Sequence, residues 1–391
     1  MGNQLTRLQV KNFRSLADVS VETRPINVFF GPNGSGKSTL LEAIHLVKDC
    51  ISRDVEEAVR TRHNGFGMLR QGSAAMSIRL ETGHAEYELR LASSYGQIDP
   101  RAGEVLYSRP EKASLINRMT GSDKADFYHD KEKPSVQTRL TFPEKLALIQ
   151  YMQGSEFAHM DASNLRNLLN SIYFYHSHYI DLYGLKNRGS ESGMDTSLHE
   201  KGENLWSVLQ NIHGKIAIDR RYETITNFMR KSFPNFKDLV FDPAGPNTIY
   251  ARFVQKNLQY PIPVLGVSEG QLQMLIHLTT LFSQEQELHS LVIFDEPETS
   301  LHPYAISVFA EAVKLATKEW NRQVFIATHS PVLIGQFEPE EILATKLDES
   351  GQTVLTRVSE MEDIQDLLES YDTGSLYMAE AIAPQSKPYT Q

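Results

Sequence analysis

The apolar and polar positions of the chain change period along its length, and those changes mark out its elements. Leu5–Phe13 (LTRLQVKNF) alternates apolar and polar residues as a half-buried strand does, and Ala17–Val21 repeats the alternation after Arg14-Ser15-Leu16. Ile26–Phe30 is instead a solid apolar run, the pattern of a strand buried on both faces. Leu41, Ile44, Val47 and Ile51 then recur at three- and four-residue spacing and predict a helix continuing to about Arg62. Two alternating segments within Ala75–Ala92 flank Glu81-Thr82-Gly83-His84, a hairpin turn, and Val105–Tyr107 predicts a further strand.

The middle of the chain is less regular. Arg109–Gln137 is rich in charge, Ser, Pro and Gly, includes the run DKEKP, and reads as a mobile surface insertion. Helical spacing returns in Pro143–Met152 and Ala162–Ile172, neither regular nor long enough for an extended coiled coil. Ile172–Ile180 (IYFYHSHYI) reads as an aromatic strand with His176 and His178 on one face and Asp181, the nearest carboxylate in sequence, on the other. That arrangement favours structural histidines over a metal site. A polar loop at Lys186–Lys201 precedes helices at Glu203–Ile212 and Asp219–Lys231; strands follow in Phe236–Val254, and Pro261-Ile262-Pro263 is a stiff connection. The run LQMLIHLTTLF from Leu272 is strongly helical, and Leu291–Phe294 and Val324–Ala327 are short apolar strands separated by a helix reaching about Lys318. A last hairpin pairs Ile342–Lys346 with Thr353–Val358, Ser359 and Glu362 form a capping-box pattern, and from Tyr371 the chain becomes a Pro/Gln/Ser tail.

Composition narrows the classes. A chain of 391 residues exceeds what one core usually serves, so inserted or appended subdomains are expected. With 40% hydrophobic and 23% charged residues it reads as globular. No apolar stretch approaches a membrane span and MGNQLTRLQV lacks a signal-peptide layout, which predicts a cytoplasmic protein with no membrane partner. Cys50 is the only cysteine, excluding an internal disulfide and any multi-cysteine metal site. A formal charge of -10 repels nucleic acid, so DNA contact would need a local basic face. Arg53, Arg60 and Arg62, and again Arg220, Arg221, Arg230 and Lys231, read first as solvated helix faces, with a DNA or partner strip as the alternative.

The candidate chemistry centres on GPNGSGKST, Gly31–Thr39, placed where the buried strand Ile26–Phe30 gives way to a helix. Glycines there allow successive backbone N–H groups to turn onto an anion that the helix dipole favours. Asn33, Gly34, Ser35, Gly36 and Thr39 line such a loop, Lys37 can reach β and γ phosphates, and the Ser38 hydroxyl can ligate Mg²⁺. Further on, Val267-Ser268-Glu269-Gly270-Gln271 presents N–H and O–H donors at a helix start. Asp295-Glu296-Pro297 places two carboxylates at the tip of a core strand, where one can hold Mg²⁺ and the other polarise an attacking water. Thr328-His329-Ser330 follows the next strand and can bring an imidazole to a γ-phosphate.

In this order the motifs resemble the ABC-type ATPase heads of the SMC, RecF and OLD-like group, and specifically the stand-alone AAA-family ATPases near them. Val10-Lys11-Asn12-Phe13-Arg14-Ser15 looks like the group's opening, GPNGSGKST like its Walker A, VSEGQ like its signature, VIFDEPETSLHP like its Walker B with D-loop, and ATHSP like its switch-histidine region. The likeness covers both ends of the chain and is faint between about Arg109 and Lys256. It implies an α/β fold: a P-loop NTPase head with a mixed or parallel core sheet, an antiparallel β subdomain and a helical insertion. The expected division is 1–108, 109–256 and 257–391.

By the same resemblance, Ser38 with Asp295 would hold Mg²⁺, Glu296 would be the general base, His329 would sense the γ-phosphate of ATP, and Ser268, Gly270 and Gln271 would complete the nucleotide site of a second subunit. Ser300 and Leu301 would lie in the D-loop. The Q-loop would carry Gln71 or follow the strand Ile172–Ile180. Val267 and Glu269 depart from the LSGGQ form, which implies slow or partner-dependent hydrolysis. The implied function is an ATPase that dimerises or forms higher oligomers around ATP and serves a DNA-associated complex, an anti-phage defence system whose nuclease or toxin is a separate protein. About fifty residues follow Glu341, too few for a TOPRIM nuclease domain. The alternatives are a RecF-like repair ATPase, a transporter ATPase subunit, and a module that uses ATP only to hold an effector.

Overall fold

A computed structural model describes residues 4–94, 96–128, 135–151, 159–368, 370–379 and 381–382. The DKEKP run and the end of the C-terminal tail lie outside the described residues. The chain forms two compact units: residues 1–24, 31–172 and 343–356 make the first, and residues 25–30, 173–342 and 357–391 the second.

The first unit is built on an antiparallel nine-stranded sheet. Its spatial order is Val136–Arg139, Lys124–Phe127, Ala113–Arg118, Gly103–Ser108, Ala85–Ser94, Ala75–Thr82, Leu5–Phe13 and Leu16–Glu22, with Gln97–Ile98 paired beside Ala85–Ser94. Alternation puts Leu8, Val10, Ile78, Leu80, Leu89 and Leu91 inward, and the helices Lys37–Ser52 and Met160–Asn170 cover that side. The segment from Arg109 to Gln137, expected as a loop, contains two of the strands. Short strands with polar and charged residues have the composition of loops, and only the successive pairing of Ala113–Arg118 with Gly103–Ser108 and of Lys124–Phe127 with Ala113–Arg118 reveals them.

One buried charge ties this sheet to its surroundings. Glu104 accepts from the Tyr87 hydroxyl (2.9 Å) and from the backbone N–H groups of Ala147 and Leu148, with Arg118 3.8 Å away. Burial pushes its carboxyl up, and these donors oppose that. The predicted helix ending near Arg62 is in fact two. It stops at Ser52, and Asp54 caps a second helix, Val55–Arg60, by accepting from the Glu57 N–H.

The second unit carries a sheet in which Ile172–His176, Ser290–Asp295, Arg322–Thr328 and Ile26–Phe30 lie side by side. The last three are parallel, with Asp295 opposite Ala327 and Thr328 opposite Phe30, so their C-terminal ends finish at one edge. Around them pack the helices Leu205–His213, Arg221–Ser232, Glu269–Phe282 and Pro303–Glu319, and a small antiparallel sheet formed by Ser190–Glu191, Phe236–Pro243, Thr248–Gln255 and Ile262–Pro263. Glu269–Phe282 is buried almost all round, which is why its sequence is apolar on every face. Its last carbonyls are collected by Arg322, which donates to Leu281 (3.1 Å), Gln284 (3.0 Å), Glu285 (3.1 Å) and Leu288, and burial brings this guanidinium down to about 10. No described helix is long and apolar enough to cross a membrane.

The two basic clusters divide between interior and surface. Arg62 is buried, pairs with Asp49 (2.7 Å) and donates to the Ala58 carbonyl, and buried Arg221 pairs with Asp219 and donates to the Ser283 carbonyl. Arg53, Arg60, Arg220 and Lys231 stay exposed as solvated positions, with Arg220 meeting Glu319 (3.3 Å) and Lys231 meeting Glu311 at the surface.

Behind the carboxylate strand, His277 lies between Phe294 and Phe309, with Nδ1 lacking a hydrogen-bond partner among the described residues, and burial holds its pKa down at about 3 against an ordinary 6.5. A folded-state pKa below the unfolded value means that stability is complete above about pH 6.5 and is lost as pH falls toward 3. Between pH 7 and 5 this group costs the fold about 2 kcal/mol. His277→Leu should remove that part of the acid sensitivity, seen as a smaller drop in urea midpoint between the two pH values than in the unaltered protein.

Candidate functional site

The phosphate loop belongs to the first unit, and its backbone shows why glycine is required. Gly31, Gly34 and Gly36 have φ of +147°, +76° and +102°. A Cβ on Gly31 would sit 2.1 Å from the Thr345 carbonyl oxygen, and one on Gly36 would sit 2.2 Å from Thr353 Oγ1. Helix Lys37–Ser52 begins directly after Gly36 with no acidic residue in its first turn, so its dipole is left for an external anion. Lys37 is buried, and its ammonium donates to the carbonyls of Gly31 and Pro32, both at 2.9 Å. Ser35 is fastened to Thr345 through their hydroxyls (2.6 Å), while Asn33, Gly34 and Ser38 are exposed and Thr39 is half-buried.

The second unit gathers the acidic and imidazole groups. Asp295, 2% exposed, ends the core strand, and Glu296 follows with φ +54°, its N–H donating to the Ala327 carbonyl at 2.8 Å. His329 Nε2 lies 3.8 Å from Glu296 Oε1, so the carboxylate turn and the histidine turn, about thirty residues apart in sequence, meet at the sheet edge. Glu298 joins them. One of its oxygens accepts from Thr328 Oγ1 (2.7 Å) and from the His329 N–H (2.9 Å); the other is buried without a hydrogen-bond partner among the described residues, and burial pushes the carboxyl up.

Ser268 caps Glu269–Phe282, accepting from the Gln271 N–H at 3.3 Å. Ser268 is exposed and Gln271 half-exposed, while Gly270 is buried against the loop after the carboxylates: a Cβ there would meet the Ser300 carbonyl oxygen at 2.4 Å. Ser300 has φ +66°. The turn at Ser268–Gln271 and the turn at Ser300 are thus packed directly against each other.

Two histidines read as structural lie at the carboxylates. His176 Nε2 is 3.6 Å from Asp295 Oδ2, and His178 Nε2 is 3.4 Å from Glu296 Oε2. Asp181 instead caps the helix Leu182–Asn187. The face argument weighed only the carboxylate near in sequence, whereas the adjacent strand supplies the ones that matter. Gln71 is exposed in a turn; the strand offered as its alternative, Ile172–His176, neighbours Ser290–Asp295.

Among protein families, the profile described as "AAA domain, putative AbiEii toxin, Type IV TA system" matches residues 26–335, most of the chain. The chain belongs to this family. This AAA-domain protein is 25% identical over 378 residues to an OLD nuclease of Thermus scotoductus, covering 91% of the chain and 64% of the nuclease. It is 21% identical over 378 residues to the DNA replication and repair protein RecF of Pasteurella multocida, covering 88% of the chain and 98% of RecF. An SMC head bound to the C-winged helix domain of ScpA matches it with a TM-score of 0.54 at 14% identity over 93% of the chain and 99% of the head. A second SMC head, with an extended coiled coil and bound to the C-terminal domain of ScpA, derived from Pyrococcus furiosus, gives 0.52 at 12% over 94% and 99%. The AAA-domain protein is an ABC-type ATPase of the SMC, RecF and OLD group, with the P-loop fold of SMC heads.

The glycine geometry predicts unequal costs. Gly36→Ala should destabilise by at least 2 kcal/mol, since left-handed strain adds to the overlap with Thr353, whereas Gly34→Ala, with nothing within 4 Å, should cost about 1–2 kcal/mol for the backbone alone. Chemical denaturation of the two variants checks the order.

Proposed function

We propose that this protein binds ATP on the Gly31–Thr39 loop, hydrolyses it with Glu296 as general base, and uses ATP to join copies of itself within a DNA-associated defence complex. The observation that carries the reading is the gathering of a carboxylate pair and a histidine at the ends of adjacent parallel strands, in a chain that also carries a glycine-built phosphate loop around Lys37. Lys37 is held by two loop carbonyls whose place phosphate oxygens can take, and exposed Ser38 and the tip residue Asp295 offer the hard oxygens that Mg²⁺ prefers. They would hold the ion, which neutralises phosphate charge when bound. Glu296 takes the proton of the attacking water, and His329 donates to the γ-phosphate. Ser268 and Gly270, at an exposed helix start, serve the nucleotide of a second copy, so hydrolysis needs two chains.

Relatives named for DNA repair and for a nuclease support a DNA setting, and a family description that includes a toxin system supports a separately encoded effector, a nuclease or toxin. The RecF-like reading has its own support in the near-complete coverage of RecF, whereas the chain spans 64% of the OLD nuclease. Salt-sensitive, ATP-dependent binding of the purified protein to duplex DNA would favour repair. The burial of Arg62 and Arg221 against Asp49 and Asp219 removes those two from any DNA-binding face.

Lys37→Ala should abolish ATP binding in a titration with labelled nucleotide. Glu296→Gln should still bind ATP, hydrolyse it roughly 100- to 10,000-fold more slowly, and accumulate a larger ATP-dependent species in light scattering. Equal ATP-dependent masses for the two variants would refute the shared site.

A further inference from the structure

We propose that His178 is a positioning residue for Glu296, aiming the carboxylate at the attacking water; this rests on the reading of Glu296 as the base. The segment His176-Ser177-His178 leaves its strand in a tight turn and is fastened to the carboxylate turn by a residue that bears no charge. Buried Ser177 donates its hydroxyl to the Glu296 carbonyl at 2.6 Å, with the Asp295 carbonyl at 3.4 Å, and its own carbonyl accepts from Gln273 Nε2 of the signature helix at 3.4 Å. With Ser177 fixed, its two neighbours have little choice of direction. His176 Nδ1 accepts from the His178 N–H (3.2 Å), so the neutral ring carries its hydrogen on Nε2, the atom facing Asp295. A ring used in that way holds a carboxylate in place and does not ligate a metal.

Glu296 needs such support. Its backbone is in the left-handed region, and its side chain is 34% exposed at the sheet edge. Its two oxygens face different imidazoles: Oε2 lies 3.4 Å from His178 and Oε1 lies 3.8 Å from His329. The two rings restrict the plane of the carboxylate, and a base aimed by two contacts loses effectiveness when one is removed. His178 is 62% exposed, so its loss leaves the fold intact and the effect on turnover can be read cleanly.

Steady-state hydrolysis and ATP-binding titrations on the full chain test this with His178→Ala, His178→Gln, Glu296→Gln and the double variant His178→Ala/Glu296→Gln. The expected result is a kcat roughly 10- to 100-fold lower for His178→Ala with KM and ATP affinity unchanged, partial recovery in His178→Gln, which keeps an N–H donor, and no further loss when His178→Ala is added to Glu296→Gln. If Glu296→Gln is inactive while His178→Ala turns over normally, or if the two losses multiply, the positioning role is wrong and the base survives. If Glu296→Gln hydrolyses ATP as the unaltered protein does, the reading of the base itself has failed, and this inference with it.

Discussion

The parallel register between Ser290–Asp295 and Arg322–Thr328 is the constraint on which the second unit's chemistry depends. Because Asp295 lies opposite Ala327, the chain leaves both strands at one level, and the turns that carry Glu296 and His329 begin side by side. A slip of one residue would send Asp295 to the other face of the sheet. Two features prevent it. Arg322, at the start of its strand, is fixed by donating to four carbonyls at and beyond the end of helix Glu269–Phe282, and Phe294, near the end of the other strand, packs edge-on against His277 and Phe309. The register is thus held from structural positions well removed from the carboxylates.

Two of the strained backbone positions, Glu296 and Ser300, lie where chemistry is expected. Gly31, Gly34 and Gly36 take left-handed conformations at no steric cost, but Glu296 and Ser300 take them with side chains attached. Hydrogen bonds from Ser177 and to Ala327 hold Glu296, and the close approach of Gly270 holds the Ser300 turn. Each strained residue is over-determined by neighbours from distant parts of the sequence. A change at Ser177 or Glu298 therefore acts on Glu296 or His329 through the backbone, leaving their side chains unaltered.

Charge is handled by pairing inside each unit. The chain has a formal charge of -10, yet many of its arginines are engaged: Arg62 with Asp49, Arg221 with Asp219, Arg118 with backbone carbonyls and Glu104. Pairs of this kind specify packing more than they stabilise it, because desolvation offsets much of the attraction. They also account for Arg62 and Arg221, which look available in the sequence and are buried.

Glycine spacing, an apolar run and a carboxylate pair at a strand tip are local patterns with local causes, so the phosphate loop, the core strands and the order of the motifs were legible in the residues alone. The Asp54 cap that divides the helix after the phosphate loop was also local and was overlooked, since helical periodicity ran on across it. Tertiary structure alone decided the rest. The strands of Arg109–Gln137 exist only through pairing, and Arg62 turns inward only because Asp49 of the helix Lys37–Ser52 meets it. His176 and His178 reach Asp295 and Glu296 because two strands far apart in the chain lie next to each other. Periodicity reports which face of an element is buried; it carries no information about which element that face will meet, and that choice rests on the summed packing of the whole unit.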